Sequence, residues 1–283
     1  MIPAGVEGYI RDNSLGNVAG FQEVGGGCIN HGVRLRTTTG ATFFLKTNPH
    51  APADMFAREA EGLETLRAGK GPRLPRPLFF GAGFLLLEDL APAGRRNNYW
   101  SEFGRQLAAL HKNTLPSFGF YHDNYIGSTP QPNPWTADGC KFFAESRLLY
   151  QACLARRRGL LEQADLIRVE RLVVRLPELV PAQPASLIHG DLWGGNAITD
   201  SIGNPTLIDP AAHYGWAEAE LAMTALFGAF PDEFYRAYQE VNPVEIGFEG
   251  RFPVYNLYHL LNHVVLFGST YLGQVRAVLS RFS

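Results

Sequence analysis

Cysteine is scarce in this chain. Cys28, Cys140 and Cys153 form an odd set without the close spacing of metal ligands. That argues against a disulfide framework and for a reduced, cytoplasmic protein. Net charge is nearly absent as well, at −2 over 283 residues. No overall field recruits nucleic acid or an anionic membrane surface. No apolar run approaches the length of a membrane span. The segment Met1 to Glu7 lacks a basic start and an apolar core, so it does not read as a signal peptide. No internal repeat is visible. What remains is an ordinary globular mix, 46% hydrophobic and 18% charged. It is long enough for one large domain or two lobes.

The chain is organised around Leu187-Ile188-His189-Gly190-Asp191-Leu192-Trp193-Gly194-Gly195-Asn196, followed by Leu207-Ile208-Asp209. An apolar pair delivers Asp191 to a loop, and Asn196 follows five positions later. Ala197 to Thr199 and Thr206 to Ile208 flank a turn at Asp200 to Asn204, where Gly and Asn suit a chain reversal. That hairpin returns Asp209 to the neighbourhood of Asn196. Phosphoryl transfer needs a base for the attacking hydroxyl, and an amide and a carboxylate to hold Mg²⁺ on the phosphates. The kinase pattern H-R-D-x-x-x-x-N with a later metal-binding Asp has this order. Here Gly190 stands for the Arg, and Asp209-Pro210-Ala211 for Asp-Phe-Gly. The plain alternative is a polar loop whose Asp and Asn cap turns.

Upstream, three strands are expected: Val18 to Glu23, Gly32 to Thr37 and Ala41 to Lys46. Between the first two lies Gly25-Gly26-Gly27-Cys28-Ile29-Asn30. Such a turn is either a simple hairpin or a phosphate cradle of backbone N–H groups. Lys46 ends an apolar run, where the kinase β3 lysine sits; otherwise it is a solvated strand end. A helix from about Asp54, a plausible N-cap, to Ala68 carries Glu59 on its apolar stripe with Phe56, Leu63 and Leu66. An inward carboxylate needs a partner, and Lys46 is the candidate. Glu61 and Glu64 read as solvated.

Two more strands, Leu78 to Gly81 and Gly83 to Leu87, precede a composition shift at Glu88-Asp89-Leu90-Ala91-Pro92. We expect the linker between lobes there, dividing 1–88 from 89–283. Its backbone is placed to meet an adenine edge, or it is an ordinary loop. Helices are expected at Trp100 to His111, Phe142 to Ala155, Gly159 to Leu176, Ala217 to Phe227 and Pro253 to Phe267. Phe118 to Trp135 reads as a long irregular loop, a common functional feature. Glu218 or Glu220 is placed to brace the active-site loop; for Glu218 the alternative is surface exposure.

The order Gly-rich hairpin, Lys46, Glu59, linker, Asp191, Asn196, Asp209 resembles a protein-kinase-like phosphotransferase. That implies a two-lobed α+β fold, with an antiparallel-sheet N-lobe and a mainly helical C-lobe. The finer resemblance is to the fructosamine kinase (ketosamine-3-kinase) family. It rests on Gly25 to Ile29, Met55-Phe56, Glu59, His189 to Trp193, Asp209-Pro210-Ala211, Tyr214-Gly215, Glu220 to Met223, Leu226 to Gly228, Leu261-Asn262-His263 and Phe267-Gly268. One position departs: Gly194 stands where we expect Ser.

The resemblance implies ATP-dependent phosphorylation at O3 of ketosamines, free or on glycated protein lysines, as a deglycation repair. It makes Asp191 the base, Asn196 and Asp209 the Mg²⁺ ligands, and Lys46 with Glu59 the α/β-phosphate pair. Gly25 to Asn30 would cover the phosphates, and Glu88, Asp89 and Leu90 the adenine. Trp193 and His263 would meet substrate; the alternatives are a core aromatic and a packed histidine. Cys28, among phosphate-binding N–H groups, is either a redox-sensitive thiol linking a dimer or a small loop residue. Other readings are an aminoglycoside, choline or homoserine kinase of the same fold, or a non-catalytic nucleotide-binding module.

Overall fold

The computed structural model describes residues 2–25 and 30–283. The expectations for Gly26, Gly27, Cys28 and Ile29 lie outside the described residues. Cys140 and Cys153 are both free thiols.

Helix α1 (Ala4–Asp12) precedes strands β1 (Val18–Val24), β2 (His31–Thr37) and β3 (Thr42–Thr47). Helix α2 (Met55–Ala68), β4 (Pro77–Gly81) and β5 (Phe84–Glu88) follow. The five strands form one antiparallel sheet in the order β1-β2-β3-β5-β4. Alternation along β3 sets its two faces. Phe43 and Leu45 join Val6, Ile10, Leu35 and Leu86 in a core beneath α1. Phe44 and Lys46 turn the other way, toward α2 and the cleft.

The remainder is mainly helical: α3 (Tyr99–His111), α4 (Gly139–Phe143), α5 (Tyr150–Arg157), α6 (Gln163–Val174), α7 (Leu176–Leu179), α8 (Ala217–Leu226), α9 (Asp232–Val241), α10 (Phe252–Phe267) and α11 (Leu272–Phe282). Short strands β6 (Thr114–Leu115), β9 (Ala185–Ile188) and β12 (His213–Gly215) form a three-stranded sheet in the order β12-β9-β6. A hairpin of β10 (Ala197–Thr199) and β11 (Pro205–Leu207) brings Ile208 N–H onto the Asn196 carbonyl, 3.1 Å away. The reversal expected to return Asp209 to Asn196 is therefore present.

Three local expectations change. The segment read as an irregular loop contains a buried hairpin, β7 (Asn124–Ile126) with β8 (Thr129–Gln131). Its strands are too short and polar to show a period. The helix expected from Phe142 to Ala155 is interrupted by a π-helical stretch, Ala144–Leu149, which turns Arg147 into the core. Asp54 precedes α2 but makes no capping bond; its carboxylate instead accepts from the Tyr125 hydroxyl, 2.7 Å away.

Candidate active site

Lys46 is drawn into the interior by charge. Its ammonium bonds Glu59 Oε1 at 2.5 Å and also contacts the Asp209 carboxylate. Glu59 reaches it because Phe56, Leu63 and Leu66 bury that face of α2. Burial alone would lower the Lys46 pKa, but Asp209 and Glu59 outweigh it and hold the ammonium above the usual lysine range. A buried cation of this kind persists because it is paired. The expected Lys46–Glu59 contact is present, and Asp209 joins it. Glu61, read as solvated, bonds Arg58 at 2.9 Å and His122 at 2.7 Å.

Strand β9 ends in the loop carrying His189, Gly190 and Asp191. Burial keeps His189 below the ordinary histidine range. A neutral ring fits its bonds: Nε2–H donates to the Ile208 carbonyl at 2.9 Å, and Nδ1 accepts from Asp191 N–H at 3.3 Å. Gly190 has φ +83°, and a side chain there would collide with the Ala211 carbonyl oxygen. This explains why an arginine has no place in the motif here. Asp209 also adopts the left-handed region, at φ +58°.

Beneath the loop, Glu220 takes the bracing role. Its Oε1 accepts Gly190 N–H at 2.7 Å, and Oε2 accepts His189 N–H at 3.0 Å and His111 Nε2 at 2.8 Å. Glu218 is buried too, in a bidentate pair with Arg251 that also takes the Tyr255 hydroxyl. His111 is a partner that sequence reasoning missed, because a histidine ending an apolar helix carries no distinguishing pattern.

Asp191 faces the cleft. Burial, and then the Asp209 charge, push its carboxyl up to about 7. Asn196 donates its amide to the Asp191 carbonyl at 2.8 Å, and more weakly to Oδ2 at 3.4 Å. With the nitrogen so committed, Asn196 Oδ1 is left as an acceptor. One carboxylate and one amide oxygen make no protein-only cage, and no cluster of three His, Cys, Asp or Glu exists among the described residues. The set fits Mg²⁺, which keeps waters and takes further oxygens from phosphates.

Lys46, Glu59, Asp191, Asn196 and Asp209 border one cleft of about 750 Å³. Gly25, Asn30, Glu88, Asp89 and Leu90 line it as well. Glu88 spends its N–H on the Arg76 carbonyl and its carboxylate on Arg73. Asp89 pairs with Arg34 at 2.9 Å. Both carboxylates are thus spent within the protein. The far wall is aromatic. Trp193, 37% exposed, meets Phe227 edge-on, and His263 packs among Phe227, Phe267 and Tyr271. His263 Nδ1 donates to the His259 carbonyl at 2.8 Å, so Nε2 is its other polar atom. Of this wall, Tyr271 had no signal in the sequence.

A strand-borne lysine paired to a helix-borne glutamate, opposite an Asp-Asn loop and a returning Asp, defines an ATP-dependent phosphotransferase of the protein-kinase-like fold. The chain belongs to the fructosamine kinase family, whose profile matches residues 11–282. A probable ketoamine kinase of Synechocystis sp. is 43% identical over 92% of this chain and 89% of its own. A chloroplastic protein-ribulosamine 3-kinase of Arabidopsis thaliana is 38% identical over 98% of this chain and 86% of its own. The crystal structure of a candidate fructosamine-3-kinase from Thermobifida fusca superposes with a TM-score of 0.88. It is 34% identical and covers 97% of each chain.

Proposed function

We propose that this protein transfers the γ-phosphoryl group of ATP to the 3-hydroxyl of a ketosamine. The observation that carries the reading is one cleft lined by two unlike sets of groups: the charged and polar Lys46, Glu59, Asp209, Asn196 and Asp191, and the aromatic Trp193, Phe227 and His263. Asp191 orients the sugar hydroxyl and takes its proton as the new O–P bond forms and ADP leaves. Lys46, held by Glu59, binds the α- and β-phosphates. Asn196 and Asp209 are the residues that would hold Mg²⁺, which supplies charge neutralisation at the phosphates when bound. The aromatic wall offers π faces to the sugar and to a cationic amine. The relatives named above act, by their names, on ketoamines and protein ribulosamines, which supports ketosamines here, free or on protein lysines.

We also infer a cytoplasmic setting from the cysteine usage; among the described residues no helix is long and apolar enough to cross a membrane. The test is ATP consumption across ribulose-lysine, erythrulose-lysine, fructose-lysine, free ribose, choline, homoserine and an aminoglycoside. A ketosamine should far outrun the rest. Preference for choline, homoserine or an aminoglycoside would overturn the substrate assignment.

A further inference from the structure

The hairpin β7–β8 is hydrogen-bonded to the two segments that carry the acids holding Lys46. On one side the Tyr125 hydroxyl donates to Asp54 Oδ1 at 2.7 Å, immediately before the helix that carries Glu59. On the other, Asn124 Nδ2 donates to the Ala212 carbonyl at 2.8 Å, and Gln131 Nε2 to the Ala211 carbonyl at 3.1 Å. Those carbonyls lie two and three residues beyond Asp209, which is held in an uncommon left-handed conformation.

The hairpin is itself anchored from below. Gln131 Nε2 and Asn133 Nδ2 both donate to Asn124 Oδ1, at 2.7 and 2.9 Å. The Tyr258 hydroxyl donates to Gln131 Oε1 at 2.6 Å, and Arg147 Nη2 to Asn133 Oδ1 at 2.7 Å. Asn124, Gln131, Asn133 and Arg147 are all at most 4% exposed. The amide oxygens and nitrogens of Asn124 and Gln131 are engaged within the protein. Asn124 lines the cleft, yet these atoms are spent within the protein, so their contribution is to geometry.

We infer that the β7–β8 hairpin is a strap that sets Glu59 and Asp209 against Lys46, making Tyr125, Asn124 and Gln131 positioning residues for phosphoryl transfer. The inference rests on the proposed roles of Lys46, Glu59 and Asp209.

Tyr125→Phe removes one hydroxyl at a half-buried position and leaves the ring, so the fold should survive. It should lower kcat with ATP and ketosamine roughly 2- to 10-fold, the reach of one hydrogen bond, with the acceptor KM unchanged. Hydrogen exchange of the first turns of α2 should rise in the nucleotide-free protein. Asp54 also pairs with Arg58 at 3.6 Å, so Asp54→Ala should lose at least as much as Tyr125→Phe, whereas Asp54→Asn, which keeps an acceptor for the Tyr125 hydroxyl, should stay closer to wild type in exchange and rate. Adding Tyr125→Phe to Glu59→Ala should cost nothing further. Asn124→Ala should instead raise exchange at 209–214 and lose on the order of 10- to 100-fold in activity, also in the Glu59→Ala background. Additive losses for Tyr125 and Glu59, unchanged exchange in α2, or a raised acceptor KM alone would each overturn the strap. If Glu59→Ala is impaired while Tyr125→Phe is wild-type, only the strap falls. If Glu59→Ala keeps full activity, the proposed role of the ion pair falls first.

Discussion

Asp191 and Glu220 are carboxylates on opposite sides of the same loop, and the protein titrates them in opposite directions. For both, burial is the largest influence and favours the protonated form. Asp191 faces the cleft with the Asp209 charge nearby and only a weak side-chain bond from Asn196, and it is pushed up to about 7. Glu220 receives His111 and the N–H groups of His189 and Gly190, and it ends below the usual glutamate range. Burial sets the penalty, and donors decide whether the charge survives it. Glu220 has spent its acceptor capacity on structure. Asp191 retains a proton affinity near neutrality, which is what a general base requires.

The largest expected effect is at Asp191. Asp191→Asn should lower kcat on the order of 10²- to 10⁴-fold while ATP still binds. Its folded-state pKa lies above the ordinary 3.8, so its contribution to stability is full at low pH and is lost as pH rises through about 7. Asn escapes that loss. The variant should therefore be as stable as wild type in acid and more stable in mild alkali. Wild-type kcat/KM should rise with pH through about 7, because only the carboxylate accepts the proton. Near-normal turnover in the variant, or a flat kcat/KM profile in the wild type, would remove Asp191 from the base role.

Glu220 should break differently. Glu220→Ala leaves buried His111 and two backbone N–H groups without their acceptor, at a cost of about 3–5 kcal/mol in denaturant unfolding. Its wild-type contribution has the opposite pH sign. A depressed carboxylate stabilises above the ordinary 4.5 and loses that stability as pH falls through the lower folded value. A loss below about 1 kcal/mol would show that another acceptor, such as water, replaces the carboxylate, and the contrast with Asp191 would collapse.

Much of this contrast was legible beforehand, and the reason is locality. Asp191 and Asn196 lie five positions apart, and the Asp200–Asn204 turn announces the return to Asp209. Glu59 shows itself because a carboxylate on an apolar stripe must have a partner. The sequence also marked Glu220, and for Glu218 it left surface exposure open; instead Glu218 is buried and paired with Arg251, a partner 33 positions away. What stayed hidden is long-range and polar. The bond of His111 to Glu220 spans 109 positions, and that of Gln131 to Ala211 spans 80. Neither leaves a period. The π-helical turn at Arg147 and the hairpin at Asn124 break the regular patterns by which elements are read.

The smallest expected effect belongs to Gly194, three residues beyond Asp191. The resemblance led us to expect Ser there, so the position tests whether the catalytic loop lacks a needed hydroxyl. Gly194 is exposed, and a Cβ built on it meets no atom within 4 Å. Its backbone is not in the left-handed region, unlike Gly190. A serine therefore fits without moving anything, and its hydroxyl projects into open space beside Trp193. Gly194→Ser should leave stability within about 0.5 kcal/mol, and kcat and the ketosamine KM within about twofold. The same assays on Gly190→Ala should show a severe loss, because that side chain meets the Ala211 carbonyl. If Gly194→Ser instead raises turnover about tenfold or more, the hydroxyl contacts substrate or phosphate, a difference of about 1.4 kcal/mol. The open side of the loop would then be incomplete in this chain rather than merely unoccupied by a side chain.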